Sequence, residues 1–594
     1  MDRKSFIILG VAVLLLVAMS PLVDHFFPPK PIPAGLLSSM TNRPPTNITT
    51  PAAVSNAAAP ANAPYVAPLV VPAGPEQIIS VTNDFLIAQF TSHGGGLKAV
   101  FLRKYPAVIS RTRNTTAETN MAALNVNAPA PVLALLGNEA QGDNYFALTR
   151  NGRIVRAEKT LANGLRLVKE FEIGTNYLFS ARLRMENTTG QALKLPEREV
   201  VMGTATPIGP LDDPTTLGTF WYNGVKAQNI KQPWFANRTL GCIPGTPRTV
   251  YDEGTNNVIW TAVHNQFFTL AAVPSSPAPR IMIHPVAIQP PAMVGLTNST
   301  SASLTNGLES AYWYPAAVLP PHQTLEGAYT FYAGPKEYNR MAQIGAQMNN
   351  KLDLIMDFSG PIGFFSKMLL ISMNFLNYLG FGYGWTIIAI TVIIKVIFWP
   401  LTKAATKSQK RMQALQPQLK AIAEKYKDDP VKKNQKTMDF MKEHKVSPLG
   451  SCLPTLIQIP VFFGFYWMLR NAIELRGVGF LWVHDLSQPD TVAYLPAMLP
   501  FLGGFPINPL PLIMGVTQLW QAHILPPSPG MDPGQQKIMR YMPLMFIALL
   551  YRMSAGLTLY WTVQNLLSIL QTKMTKMTDE IAAKPAVMVP KKKT

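Results

Sequence analysis

The sequence predicts an α-helical membrane protein with six transmembrane helices and one large all-β domain outside the cytoplasm. Three observations lead to this fold class. Only 14% of the 594 residues are charged, whereas soluble domains usually contain about a quarter. Long apolar runs occupy the N-terminus and the C-terminal part of the chain. Between them, apolar and polar residues alternate with the period of two that is typical of half-buried strands.

The first predicted crossing is at the N-terminus. Arg3 and Lys4 precede an apolar stretch from Phe6 to Val23. No clear A-x-A site follows, so we interpret residues 1–27 as a transmembrane anchor rather than a cleaved secretory signal. The two basic residues keep the N-terminus in the cytoplasm, which places the following residues outside. Residues 28–74, rich in Pro, Ala, Asn and Thr, are expected to be a flexible linker.

The β domain is expected at residues 75–335. The segments GLRLVKEFEIG (164–174) and YLFSARLRMEN (177–187) alternate apolar and polar residues and are separated by turn residues, which predicts two neighbouring strands. The length suits a single sandwich of many strands. One crossing from a cytoplasmic N-terminus places this domain in the periplasm of a Gram-negative cell.

A connector and an amphipathic helix are expected at residues 336–382. The run GPIGFFSKMLLISMNFLNYLGF (360–381) is apolar around most of its circumference but is interrupted by Lys367, Asn374 and Asn377. This pattern favours a helix that lies in the membrane interface rather than one that crosses the membrane.

Five further crossings are predicted, at Tyr383 to Leu401 and at residues 453–469, 507–525, 541–553 and 555–570. The lysine-rich segment 402–447 and the basic tail 576–594 belong in the cytoplasm, whereas the loop 476–493, whose one basic residue is Arg476, belongs outside. Six crossings satisfy all these placements. A short apolar hairpin at residues 494–506 is interpreted as the approach to the fourth crossing.

The segment 402–447 is also predicted to be a basic helical hairpin. Four apolar residues share one helical face, KDDP at 427–430 is a turn signal, and a second apolar face follows. The residues of the two faces are Met412, Leu415, Leu419 and Ile422, then Met438 and Met441. Two interpretations stay open: a docking site, or a solvated loop whose charge only sets the orientation.

The sequence favours neither a cofactor nor an enzymatic reaction. It contains no CxxC motif, zinc-ligand spacing or nucleotide motif, and Cys242 and Cys452 fall on opposite sides of the membrane. The histidines of the β domain are scattered without ligand spacing, at His93, His264, His284 and His322. The net charge of +19 is concentrated beside apolar segments, which indicates membrane lipids rather than a nucleic-acid sequence as the electrostatic partner.

Lys395 lies inside the second predicted crossing. At a rise of about 1.5 Å per residue, it is about 15 Å from Trp385 and about 9 Å from Leu401. A lysine at this depth costs roughly 2.5 to 3.5 kcal/mol, and the apolar residues of the same helix return roughly 3 to 6 kcal/mol. The side chain could simply reach the cytoplasmic headgroups, but polar residues on neighbouring crossings favour a function.

Those polar residues form stripes at helical spacing. Thr391 shares a face with Lys395, and similar stripes contain Thr455 and Gln458, Thr517 and Gln521, and Thr558, Thr562 and Asn565. Such residues often only join helices by hydrogen bonds. Because no acidic residue within the crossings could neutralise Lys395, we expect water to solvate it in a cavity open to the cytoplasm. That cavity would attract acidic groups.

Several motifs resemble the YidC membrane protein insertase family. They include KVIFWPLTK, SPLGSCLPTLIQIPVFFGFYWMLRNAIELRG, HDLSQPD, DPGQQKIMRYMP and AGLTLYWTVQN, and in the β domain ISVTNDFLIAQFTSHGGGLKAVFLRKYP and FYAGPKEY. The resemblance implies a five-helix insertase core at residues 383–575, a hydrophilic groove open to the cytoplasm and lipid, and a periplasmic β-supersandwich. Lys395 matches the charge of the family's groove, and Thr391, Tyr560 and Trp561 match core positions. FLGGFPINPLP before the fourth core crossing is longer than the family's usual stretch.

The resemblance further implies insertion and folding of nascent inner-membrane proteins, alone or with the Sec translocon, and we expect the ribosome to bind the hairpin or the basic tail. A hydrophilic client segment would enter the groove near Lys395 while its apolar helix slides along the third and fifth crossings. The alternative is a channel or solute carrier with a sugar-binding periplasmic domain, since the supersandwich is similar to sugar-binding folds.

Overall fold

The fold was analysed in a computed structural model, which describes residues 70–72, 74–109, 120–137, 141–209, 212–238, 245–289, 305–358, 360–426, 429–444, 448–494, 505–524, 541 and 544–574. These residues form two compact units, a β unit that ends at Asp357 and a helical unit that begins at Phe358. The predicted anchor at 1–27, Cys242, the tail 576–594 and most of the linker 28–74 lie outside the described residues.

The described residues of the β unit form twenty strands. They are β1 (Ile78–Thr82), β2 (Leu86–Thr91), β3 (Gly96–Pro106), β4 (Met121–Leu124), β5 (Leu135–Leu136), β6 (Ala147–Asn151), β7 (Ile154–Thr160), β8 (Leu165–Ile173), β9 (Leu178–Asn187), β10 (Leu193–Leu195), β11 (Arg198–Ala205), β12 (Gly218–Tyr222), β13 (Ala227–Lys231), β14 (Tyr251–Glu253), β15 (Trp260–His264), β16 (Phe268–Pro274), β17 (Arg280–Ile288), β18 (Thr305–Tyr314), β19 (Ala317–Leu319) and β20 (Thr324–Pro335).

Two antiparallel sheets pack face to face as a sandwich. One has nine strands in the order β13-β12-β15-β16-β20-β9-β8-β7-β6, and the other has five in the order β14-β17-β18-β11-β5. Tyr312 on β18 joins them, because its hydroxyl donates to the Ala272 carbonyl on β16 at 2.8 Å and accepts from the Thr261 amide on β15 at 3.1 Å. A four-stranded sheet, β1-β2-β3-β4, and the pair β10-β19 complete the unit.

The two strands predicted from alternation are confirmed as neighbours. β8 and β9 pair antiparallel from Leu165 opposite Asn187 to Ile173 opposite Phe179. The alternate residues Leu165, Leu167 and Phe171 of β8 are buried, as the period of two predicts.

The β unit extends beyond the boundary expected at 335. The helix α1 (Gln232–Ala236) lies between β13 and β14, and α2 (Tyr338–Gln347) follows β20. A 3₁₀ turn at Leu352–Met356 closes the unit. The Trp260 indole N–H donates to the Asn350 carbonyl at 2.8 Å, so this part of the predicted connector is held by the sandwich.

The helical unit begins with α3 (Gly360–Tyr378), the helix predicted to lie in the interface, and continues with α4 (Tyr383–Ile397), α5 (Trp399–Ala414), α6 (Gln416–Lys425), α7 (Pro430–Glu443), α8 (Pro448–Asn471), α9 (Pro509–Ile524) and α10 (Ala555–Met574). Residues 544–550 are also helical. The strands β21 (Ala493–Tyr494) and β22 (Pro506–Ile507) pair before α9, and they border the hairpin predicted at 494–506.

The second predicted crossing is broken rather than continuous. We expected a helix from Tyr383 to Leu401, but α4 ends at Ile397 and α5 starts at a bend of 62°. Pro400, the second residue of α5, has no N–H to continue the hydrogen-bond ladder of α4. Among the described helices, none is by itself both long and apolar enough to span a membrane, whereas the bent pair Tyr383–Ile397 and Trp399–Lys407 meets that condition together.

A helical hairpin lies within the segment 402–447. Leu415, just before α6, and Leu419 of α6 pack against Met441 of α7, with Phe440 at the edge of this cluster. Asp429 caps α7, because its side chain accepts a hydrogen bond from the Lys432 amide. Part of the predicted turn, residues 427–428, lies outside the described residues.

Candidate functional site

Lys395 occupies the last turn of α4 and is buried, with 7% of its surface exposed. Its Nζ donates to the Ser568 Oγ on α10 at 2.8 Å. The Ser568 hydroxyl in turn donates to the Gln564 carbonyl of its own helix at 2.8 Å, which leaves the lone pairs of the oxygen for the lysine. A neutral side chain from another helix therefore binds Lys395, a partner that the sequence did not predict. Solvation of Lys395 by water stays a prediction.

Ser568 is the functional candidate that the sequence reasoning missed. It lies three residues after Asn565 and so continues the polar stripe of Thr558, Thr562 and Asn565 along α10. Helical spacing could have identified it. Serine on a membrane helix is common, however, and spacing alone does not show which helix it faces.

A second polar link joins α10 to the chain beyond the bend. The Gln571 side-chain amide, almost fully buried, donates to the Thr402 Oγ1 at 2.6 Å and to the Trp399 carbonyl at 3.3 Å. Lys395 is bound before the bend and Thr402 after it. α10 therefore contacts both arms of the broken helix.

Four threonines of the predicted stripes, Thr391, Thr517, Thr558 and Thr562, are buried and bonded within their own helices, whereas the Thr455 side chain lies outside the described part of the chain. The Thr391 hydroxyl donates to the Ile387 carbonyl, the Thr562 hydroxyl to the Thr558 carbonyl and the Thr517 hydroxyl to the Met514 carbonyl, each at 2.7 Å. Their donors are thus satisfied without a partner from another helix. Only their oxygen lone pairs are left for a further contact.

Asn565 joins α10 to α9 rather than to Lys395. Its side-chain N–H donates to the Thr517 Oγ1 at 3.2 Å and to the Met514 carbonyl at 3.4 Å. This is interhelical bonding of the kind that polar residues usually provide in membrane helices. Gln521, one turn after Thr517, and Gln458 on α8 are partly exposed.

Tyr560 and Trp561 belong to an aromatic cluster. The Tyr560 ring stacks on Phe465 of α8 with centroids 4.1 Å apart. The Trp561 ring meets Phe462 of α8 edge-on at 4.6 Å and also contacts Phe546 at 5.5 Å. These two predicted groove residues pack α10 against α8 and the helix at 544–550.

The charge of Lys395 has no acidic counterpart in the parts of the chain that the structure describes. The ion pairs of the helical unit join Lys432 to Asp429 and Lys436 to Asp439, both on the hairpin. A single hydroxyl is a weak substitute for a carboxylate, because it contributes a dipole and not a charge. The site therefore consists of a buried cation, a neutral acceptor and a stripe of threonine oxygens.

The histidines of the β unit do not form a common site. His284 contacts the Glu199 carboxylate at 2.9 Å, which raises the histidine pKa against the opposing effect of burial. His264 is buried between Asn229 and the Asn265 carbonyl, and burial lowers its pKa. Among the described residues, no three His, Cys, Asp or Glu side chains are grouped to hold a metal ion.

Comparison with known proteins finds two protein families that match this chain. Residues 78–371 match the family described as YidC periplasmic domain, and residues 374–581 match the family described as 60Kd inner membrane protein. A Bordetella avium (strain 197N) protein named Membrane protein insertase YidC is 30% identical over 510 residues, covering 84% of this chain and 83% of the relative.

Two further similarities were found. A Syntrophus aciditrophicus (strain SB) protein of the same name is 29% identical over 586 residues, covering 96% of this chain and 98% of the relative. A solved structure described as an active YidC insertase is 17% identical and covers 86% of this chain and 95% of its own, but its TM-score of 0.34 is too low to carry an argument. On the evidence of the two family matches and the Bordetella relative, the chain belongs to the YidC membrane protein insertase family.

Proposed function

We propose that this protein inserts nascent membrane proteins into the bacterial inner membrane and helps them to fold, without catalysing a reaction. The observation that carries the proposal is the buried Lys395 bound to Ser568 in a chain of the YidC family. A cation held by a neutral hydroxyl is ready to exchange that hydroxyl for a carboxylate.

The exchange favours acidic client segments. Two opposite unit charges 4 Å apart attract by about 4 kcal/mol at an effective dielectric constant of about 20, and by only about 1 kcal/mol in water. A carboxylate that reaches Lys395 therefore recovers part of the free energy it loses on leaving water. The hydroxyl oxygens of Thr391 and Thr562 could accept hydrogen bonds from other polar groups of the same segment.

The apolar part of the client is proposed to move along the third and fifth crossings. The helices at these positions carry exposed apolar side chains, which suits contact with lipid and with an apolar client helix. On α8 they are Ile459 and Phe463, and in the helix at 544–550 they are Leu544, Met545 and Leu549. Apolar partition and the membrane potential acting on acidic segments would drive the step.

We further propose six crossings, cytoplasmic termini and a periplasmic β unit. The distribution of lysine and arginine supports this topology, because the hairpin 402–447 is rich in lysine and the loop 476–493 is not. The same charge would let the hairpin or the tail bind a ribosome and anionic lipids, and the protein would work alone or with the Sec translocon.

The test is insertion into proteoliposomes of a single-spanning client with either an acidic or a neutral translocated segment. We expect Lys395→Ala to reduce insertion of the acidic client at least about tenfold, which corresponds to about 1.4 kcal/mol, near the lower limit for a hydrogen bond to a charged group. Lys395→Arg should restore insertion, and the neutral client should be nearly unaffected. Equal insertion of the acidic client by wild type and Lys395→Ala would refute the role of the charge.

Ser568→Ala tests whether the hydroxyl contact positions Lys395, separately from the binding of the client carboxylate by the lysine charge. It leaves the cation but removes the hydroxyl that positions it, so insertion of the acidic client should fall about two- to fivefold, less than with Lys395→Ala. Thr572→Ala is the matched control, because Thr572 lies one turn further along α10 and donates only to the Ser568 carbonyl. A larger loss with Thr572→Ala than with Ser568→Ala would show that the hydroxyl contact does not position Lys395.

A further inference from the structure

Large apolar side chains are exposed around the N-terminal end of α4. Tyr378, Leu379 and Phe381 precede the helix, and Trp385 lies in its first turn; they are exposed by 78%, 55%, 49% and 58%. Leu481 and Trp482, from the loop after α8, are exposed by 73% and 39%. We call these six residues the apolar rim. A surface of this kind normally marks contact with a partner or a membrane.

The loop part of the rim is a tight hairpin with an unusual tip. The Phe480 amide donates to the Val483 carbonyl at 2.8 Å, and the Val483 amide donates back to the Phe480 carbonyl at 2.9 Å. Leu481 has a φ of +54°, and Trp482 is not among the residues with positive φ. Positive φ at the first of two central residues is typical of a type II′ turn, where glycine is the favoured residue.

The leucine is therefore not explained by the turn itself. A bulky side chain in the left-handed region is strained, and glycine would form the same turn without strain. Packing does not explain it either, because Leu481 is almost three-quarters exposed. A strained, exposed apolar residue at a loop tip is favoured only if something outside the chain covers it.

The hairpin packs against α4. The Phe480 ring lies against Gly384, where an added Cβ would be only 2.2 Å from the ring, and it meets the Trp385 ring edge-on at 5.3 Å. The Trp482 indole N–H donates to the Asp490 carboxylate at 3.0 Å, so its polar atom is satisfied within the protein, while 39% of the residue is exposed. The loop part of the rim is thus packed against the start of α4.

We propose that the apolar rim is an interfacial anchor that inserts into the extracytoplasmic leaflet of the membrane, with Leu481 among the acyl chains and the aromatic rings at headgroup level. The proposal rests on the proposed topology, in which α4 enters the membrane from that side. Residues 378–385 and 477–483 contain no charged side chain, which suits lipid better than a charged protein surface. The exposed apolar face of α4, at Val392, Ile393 and Val396, continues from the rim along the same helix.

Such an anchor would fix the depth of the functional site. Lys395 is ten residues after Trp385, so at about 1.5 Å per residue it lies about 15 Å along the helix from this rim residue. α4 has 15 residues and a length of about 22 Å, less than the hydrocarbon thickness of about 30 Å. A helix this short is not held at one depth by its own length, so an anchor at one end determines where Lys395 lies.

The test measures the depth of single fluorescent labels in the full chain, reconstituted in phosphatidylcholine vesicles, after Cys242→Ser and Cys452→Ser. A nitrobenzoxadiazole label is attached at Leu481→Cys and quenched either by iodide in the water or by lipids with a shallow doxyl group. Gln488→Cys, exposed on the same loop, is the aqueous control, and Ile393→Cys, exposed on α4, is the lipid control.

We expect the label at Leu481→Cys to be quenched by the doxyl lipid at least threefold more than the label at Gln488→Cys, and to be correspondingly protected from iodide. Leu379→Cys, on the other segment of the rim, should behave in the same way. If Ile393→Cys reports lipid but Leu481→Cys reports water, the anchor is refuted while the proposed insertase stands. If Ile393→Cys also reports water, the α4 crossing and the proposed function both fail. Protection of Leu481→Cys from both quenchers would indicate a protein partner and would also refute the anchor.

Discussion

Replacing Lys169 with methionine tests how a lysine at a core-facing position makes the stability of the β unit depend on pH. Lys169 is the middle residue of the buried face of β8, between Leu167 and Phe171, and it is fully buried. Its Nζ donates to the Gly94 carbonyl at 2.5 Å and lies 4.4 Å from the centre of the Phe146 ring. Burial, together with the nearby charge of Lys159, lowers the Lys169 pKa to about 7.

The pH dependence of the free energy of unfolding follows from the difference between the Lys169 pKa in the unfolded chain and in the folded unit. Lysine titrates near 10.5 when unfolded, so between about pH 7 and 10.5 the unfolded chain binds more protons than the folded unit at Lys169. Stability therefore rises with pH in this window, by up to about 1.4 kcal/mol per pH unit, and the gain is lost as the pH falls towards 7. Between pH 9 and pH 7 the wild type should lose about 2 kcal/mol through this residue.

Methionine has a similar length and does not titrate. Lys169→Met leaves the Gly94 carbonyl without this donor, at a cost of about 1 to 3 kcal/mol, but it avoids deprotonation of an amine. The variant and the wild type should thus have similar stability at pH 9, and the variant should be more stable by about 2 kcal/mol at pH 7.

Pulse proteolysis of the intact chain in detergent, after equilibration in urea, measures the unfolding midpoint of the β unit at both pH values. With a urea dependence of about 2 kcal/mol per M, the two midpoints should diverge by about 1 M between pH 9 and pH 7. Lys98→Met, at an exposed lysine paired with Glu76, is the matched control and should retain the wild-type pH dependence. If Lys169→Met also retains it, Lys169 is not the titrating group and the reasoning is refuted.

Two further substitutions test the loop that joins α8 to α9, both measured by thermal unfolding of the detergent-solubilised protein. The buried Asp490 carboxylate accepts hydrogen bonds from the Leu510 amide at 2.6 Å and from the Trp482 indole. Asp490→Ala should therefore destabilise the protein by about 1 to 3 kcal/mol, and Asp490→Asn, which keeps an acceptor oxygen, should destabilise it by less. Equal effects of the two substitutions would contradict this account. Gly384→Val should destabilise the protein by about 1 to 3 kcal/mol, because the added Cβ would overlap the Phe480 ring. An unchanged unfolding temperature would show that the loop does not pack against Gly384.

The site was predicted only in part because spacing along a helix identifies a face but not its neighbour. Asn565 and Thr517 were each assigned to a polar stripe, and the structure joins them to each other. Tyr560 and Trp561 were assigned to the groove, but their rings pack on α8, since an aromatic side chain gains more from buried ring contacts than from a polar wall. Their role in a groove stays a prediction.

Local pattern in the sequence determined the kinds of segments in this protein. Alternation with a period of two identified β8 and β9, apolar runs identified α8, α9 and α10, and the positions of the lysines predicted which segments face the cytoplasm. These properties depend on residues close together in the chain, so they can be inferred from the sequence without knowledge of the tertiary structure. The motifs that resemble the family are local in the same sense, and the family comparison confirmed them.

The tertiary structure alone decided which side chains meet. Lys395 and Ser568 are 173 positions apart, and the hydrogen bond between them depends on how α4 packs against α10. The extension of the β unit to Asp357 and the neighbours of Lys169 also depend on distant segments. A sequence pattern gives the face on which a residue lies, whereas the free energy of a buried polar group is set by the partner that packing brings to it.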